Sequence, residues 1–153
     1  MNRGLKSLVP VRGLFAILMG ILMAGMLVIG QAQPAKAMTP DEIVAAAAAN
    51  ITSVSATEAK PYFDSKVLFI DVREPSEYQA GHIPGAVNIP RGILEFNIAK
   101  LAADKSTPMV VYCASGKRSA LATEALGKLG YTKAVNMTIG LPSWTAAGYP
   151  TEK

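Results

Sequence analysis

Between residues 51 and 147 short apolar runs alternate with helix-length segments, and this alternation limits the fold more than any other feature of the chain. The run Val67-Leu68-Phe69-Ile70 is continuously apolar and bounded by polar residues, the pattern of a strand covered on both faces. Residues 86–89, 109–112 and 134–137 repeat it, and 51–54 is a weaker candidate. Ser55 and Glu58 form a capping box that opens a helix over 55–65. Residues 75–80 fit one short helix, with Gly81 placed to end it. Apolar residues at 93, 94, 98, 101 and 102 give a buried stripe for a helix over 93–103. Residues 119–129, closed by Gly130, and 141–147 complete the set. Strands separated by helices require crossover connections, so the expected fold is α/β, a three-layer domain with a parallel sheet of about five strands covered by helices on both faces.

The first part of the chain follows other rules. Arg3, Lys6 and Arg12 precede or flank an apolar stretch over 14–29, and Ala35-Lys36-Ala37 offers small residues at the positions a signal peptidase reads. This is the layout of a secretory leader, with cleavage expected after Ala37 and export, in a bacterium to the periplasm. An apolar core of about 16 residues is short for a span of roughly 20, so a membrane enters only if the leader stays uncleaved. Thr39, Pro40 and Glu42 then signal a helix start, and residues 38–50 read as an accessory helix ahead of the domain at 51–153.

Charge narrows the range of functions. The formal net charge is +4, and Arg3, Lys6, Arg12 and Lys36 account for all of it. The remainder is balanced, with no basic excess of the kind that neutralises phosphates, so no nucleic-acid partner is expected. The chain has 1 cysteine and 1 histidine. One cysteine cannot close an intrachain disulfide, which leaves an inert buried thiol or a reactive one. Neither a metal site nor a cofactor is expected.

Position decides between those two readings. Cys113 lies where the strand over 109–112 ends, and α/β sheets bind ligands beyond the carboxyl ends of their strands. The chain continues Ala114-Ser115-Gly116-Lys117-Arg118-Ser119 and enters a helix. Small residues let successive N–H groups turn inward, and the helix adds its positive end. Lys117 and Arg118 add two charges, and Arg118 has the better geometry for an oxyanion. A thiol in such a cradle is expected to ionise readily without a histidine partner.

These residues resemble a single rhodanese domain over roughly 51–150. Asp71-Val72-Arg73-Glu74-Pro75-Ser76-Glu77-Tyr78 with Gly81-His82-Ile83-Pro84-Gly85-Ala86 is similar to the family's first signature. Cys113 to Ser119 resembles its active-site loop, and Trp144 with Gly148-Tyr149-Pro150 its closing segment. The resemblance implies a sulfurtransferase: the Cys113 thiolate takes the outer sulfur of a donor such as thiosulfate, holds it as a persulfide, and passes it to cyanide or a thiol. Its partners are then small sulfur-containing anions and a thiol or protein acceptor. Covalent catalysis of this kind implies ping-pong kinetics.

Asp71 and Arg73, at a strand end, are within reach of the site, Asp71 more as a structural ion-pair partner than as a catalyst. His82 is expected to fix a loop and Arg91 to face the same side, while Trp144 and Tyr149 read as core or rim aromatics. Two alternatives share the architecture. A sulfur carrier without turnover needs the same loop. The dual-specificity phosphatases and arsenate reductases on this architecture hold a larger oxyanion. The phosphatase loop places five residues between Cys and Arg, whereas Arg118 follows Cys113 after four, and Tyr112 stands where those phosphatases have a histidine.

Overall fold

The computed structural model describes residues 36–153, so the leader read at 1–37 lies outside the described residues but for its last two. Thr39 and Ser55 each cap a helix as their capping boxes require. The Thr39 and Ser55 hydroxyls accept the N–H groups of Glu42 and Glu58, both at 3.2 Å, and each glutamate accepts the cap residue's own N–H at 2.7 Å. These caps start α1 (Pro40–Ala48) and α2 (Ala56–Asp64). The remaining elements are β1 (Thr52–Val54), β2 (Leu68–Asp71), α3 (Pro75–Ala80), β3 (Val87–Asn88), α4 (Leu94–Leu101), β4 (Met109–Tyr112), α5 (Lys117–Lys128), β5 (Ala134–Met137) and α6 (Leu141–Ala146). A single 3-10 turn, Arg91–Ile93, leads into α4.

The five strands form one parallel sheet in the order β1-β5-β4-β2-β3. Alternate side chains of each strand feed opposite layers. Ile70, Met109, Val111 and Ala134 pack with Leu94 and Ile98 of α4 and Ala122 and Leu126 of α5. Phe69, Val110, Val135 and Met137 pack with Ala56 and Ala59 of α2 and Trp144 of α6. This is the three-layer α/β arrangement that the alternation of runs implies. β4 lies inside the sheet, and all four of its residues are buried.

Element ends depart from the sequence reading for local reasons. The strand read at 67–70 begins one residue later, because the Val67 N–H turns back to the Tyr62 carbonyl at the end of α2. The strand read at 86–89 shrinks to two residues at the sheet edge, since the Ala86 N–H closes a turn onto Ile83. The helix expected over 119–129 starts two residues earlier, at Lys117, which makes Lys117 and Arg118 first-turn residues. α1 packs against α5. Among the described residues, no helix is long and apolar enough to cross a membrane.

Candidate active site

β4 ends at Tyr112 and the chain turns at once into the loop, so Cys113 is held at the carboxyl end of an interior strand. Its side chain is buried and unbonded to any other cysteine. Gly116 occupies the left-handed region (φ +84°) as the N-cap of α5, and this turn aims its N–H at the Cys113 Sγ, 3.1 Å away. The Ser119 hydroxyl lies 3.5 Å from the same sulfur and 3.1 Å from the Gly116 carbonyl. It has one proton for two acceptors, and a charged thiolate competes best for it.

The segment after β5 forms the wall behind the loop. The Leu141 N–H donates to the Cys113 carbonyl at 2.8 Å. Gly140 (φ +64°) packs so closely that a Cβ there would lie 1.9 Å from that carbonyl oxygen. Ile139, before it, has φ +60°, an unusual conformation for a β-branched residue, and it is 63% exposed.

Two opposed effects set the thiol's acidity. Burial disfavours the thiolate; the Ser119 hydroxyl and the backbone N–H groups of Ser115, Ser119 and Gly116 favour it and prevail, so Cys113 ionises below its ordinary value. The adjacent cations were expected to add to these donors, and each has a carboxylate partner of its own. Lys117 is bound to Asp41 of α1, 2.8 Å distant, with both groups largely exposed. The Arg118 guanidinium is gripped by both oxygens of Glu77 on α3, at 2.7 and 2.9 Å. That pair holds the Arg118 charge most strongly, and the Cys113 sulfur adds a smaller favourable contribution.

The supporting residues are brought to the same end of the sheet in unequal degree. Asp71 is fully buried; Arg73 binds it through Nη2 at 2.6 Å and through its own backbone N–H at 2.9 Å. Arg73 also donates to the Gly81 carbonyl at 2.7 Å, clasping the segment after α3. Tyr112 is buried beneath them, its hydroxyl accepting the Ile83 N–H at 3.1 Å. Burial first, then the neighbouring Asp71 carboxylate, push its phenol far up, so it stays neutral. His82 stacks on Tyr78 with ring centroids 3.7 Å apart, and its backbone pairs with Glu152 in both directions at 2.9 Å. Arg91 pairs with Glu95 at 2.8 Å, while its backbone N–H donates to Val72. Trp144 is buried among Phe63, Phe69 and Tyr149.

Three participants escaped the sequence reading as site residues. Glu77 and Asp41 lie 41 and 76 positions from the cations they bind. Asn88 donates its amide to the carbonyls of Asp71 and Arg73, both at 2.9 Å, and so fixes the loop after β2. The need of a buried or half-buried arginine for a counterion was the only signal available for Glu77.

The arrangement matches known proteins. The profile of the rhodanese-like domain matches residues 55–147. The thiosulfate sulfurtransferase PspE of Escherichia coli is 43% identical over 68 residues, covering 44% of this chain and 65% of its own. A Bacillus subtilis protein named putative sulfur carrier protein YrkF is 36% identical over 93 residues, covering 61% of this chain and 49% of its own. This chain therefore spans less than two thirds of both relatives. Among solved structures, the rhodanese-like domain of an Anabaena protein superposes with a TM-score of 0.60 at 30% identity, covering 65% of this chain and 77% of that one. A Rhodopseudomonas palustris protein of unknown function, described as a possible tyrosine phosphatase, superposes with a TM-score of 0.71 at 28% identity, covering 80% and 100%.

Proposed function

We propose that this chain, which belongs to the rhodanese-like domain family, is a thiosulfate sulfurtransferase-type enzyme that carries sulfur as a Cys113 persulfide. The observation that carries this reading is the convergence of backbone N–H groups and the Ser119 hydroxyl on one buried sulfur at a helix N-terminus. The thiolate attacks the outer sulfur of the donor. A new S–S bond forms, the donor's S–S bond breaks, and its electron pair leaves with sulfite. The persulfide's outer sulfur then bears the negative charge, and the same preorganised donors stabilise it. An acceptor (cyanide or a thiol) attacks that sulfur and returns the Cys113 thiolate.

The loop suits this chemistry better than phosphoryl transfer. Four residues separate Cys113 from Arg118, and Gly116 packs onto the backbone of Thr138 and Ile139, which keeps the cradle small. A second reading, a carrier that loads one sulfur and hands it only to a dedicated partner, has in its favour the relative named as a putative sulfur carrier. Steady-state assays with thiosulfate and cyanide separate the two. Continuous thiocyanate release supports the enzyme; one equivalent of sulfite followed by arrest supports the carrier; neither product refutes both. The leader adds a proposal of location, that the protein is exported and begins at Met38 in its mature form. A mature protein that retains Met1 would refute it.

A further inference from the structure

The carboxyl end of the sheet gathers four cations that could serve an anionic donor, and each is already bound to a carboxylate. Arg73 is held by Asp71, Arg91 by Glu95, Lys117 by Asp41 and Arg118 by Glu77. The Arg118 pair matters most, because Arg118 sits in the first turn of α5, whose N-cap Gly116 bonds the Cys113 sulfur. Its grip is two-pronged, and both side chains are 35% exposed, which places the pair at the mouth of the site. Glu77 is itself fixed, since it also accepts the Glu74 N–H at the start of α3. A donor approaching the sulfur thus meets an Arg118 whose charge is already engaged by a carboxylate.

We propose that Glu77 is a specificity-determining residue that offsets the charge of Arg118, so that the site favours monoanionic sulfane-sulfur donors and discriminates against the dianion thiosulfate. Asp41 acts the same way on Lys117, more weakly, because that pair is exposed and screened. The inference rests on the sulfurtransferase reading and names its donor class. In such a site the binding potential comes from N–H dipoles, which suffice for one negative charge. A second charge on the donor gains little from Arg118 and is repelled by Glu77. The Arg118–Glu77 contact orients the guanidinium, so Glu77 is a positioning residue and touches no reacting atom.

The test compares thiosulfate with methanethiosulfonate, which delivers the same outer sulfur but carries one negative charge and leaves as methanesulfinate. Glu77→Gln keeps one oxygen for Arg118 and for the Glu74 N–H while removing the charge. The ratio of kcat/KM for thiosulfate to that for methanethiosulfonate is expected to rise roughly fivefold to tenfold, the order for one charge acting on one further charge at a partly solvated site. The change should fall on KM for thiosulfate, with kcat nearly constant. Asp41→Asn should move the ratio the same way by less than a factor of about two. A second readout does not need a donor: in Glu77→Gln the Cys113 thiol should titrate at lower pH, because Arg118 is no longer offset. An unchanged ratio with an unchanged thiol titration overturns the proposal, as does an equal loss with both donors, which marks a merely structural role. If the native protein takes sulfur from neither donor, the sulfurtransferase reading falls and this inference with it.

Discussion

Replacing Ser119 by alanine tests how the thiolate is stabilised. The hydroxyl lies 3.5 Å from Sγ and shares its proton with the Gly116 carbonyl. Hydrogen bonds to charged groups contribute about 1.5–3 kcal/mol, and a long, shared one belongs at the bottom of that range. About 1.4 kcal/mol corresponds to about one pH unit in the thiol's titration. The substitution leaves no new orphan, because the Gly116 carbonyl still accepts the Ala120 N–H at 3.0 Å. The pH dependence of alkylation by iodoacetamide, an uncharged probe, should therefore move its midpoint upward by about one pH unit. The sign extends to stability. A thiol whose folded value lies below its unfolded one stabilises the fold above the unfolded value, and that contribution fades as pH falls through the folded value. Ser119→Ala should thus cost more stability in denaturant titrations at alkaline pH than at acid pH. An unmoved or lowered midpoint would refute the account, and so would an equal loss at both pH values.

Three further substitutions probe the frame. Gly140→Ala should distort or unfold the loop, because its Cβ would lie 1.9 Å from the Cys113 carbonyl; thermal melting should show a large loss together with loss of thiol reactivity, and a native-like melt would contradict the packing. Asp71→Asn should cost about 3–5 kcal/mol in chemical denaturation, since it strips the buried Arg73 of its counterion. Tyr112→Phe should cost about 1–3 kcal/mol by leaving the buried Ile83 N–H without an acceptor, while the thiol titration changes little.

What could be read from the sequence follows the range of the interactions involved. The strands and helices announce themselves through neighbouring residues: four buried positions in β4, the capping boxes at Thr39 and Ser55, the glycine after α5. The cysteine's place at a strand end was legible for the same reason. The partition of charge was not. Lys117 and Arg118 adjoin Cys113 in the chain and invite the inference that both serve it, yet entering α5 in its first turn directs Lys117 to α1 and Arg118 to α3. Their partners come from far along the chain, and only the crossovers of the sheet bring them near. The stripe of α4 is a milder case. Leu94, Ile98 and Ala102 are buried, whereas Ile93 and Leu101, read as part of the same face, stay exposed because the helix is preceded by a 3-10 turn and presents a narrow face. The wall at Ile139 and Gly140 also lay beyond reach, since only the parallel pairing of β4 with β5 sets those residues against the loop.

The central claim is that Cys113 carries the sulfur, and intact mass after treatment with a sulfane-sulfur donor tests it most directly. The native protein should gain about 32 Da, lose it on addition of cyanide, and show no such gain as Cys113→Ala. A gain that persists in the alanine variant, or a native protein that never gains the mass with thiosulfate or with methanethiosulfonate, would contradict the account.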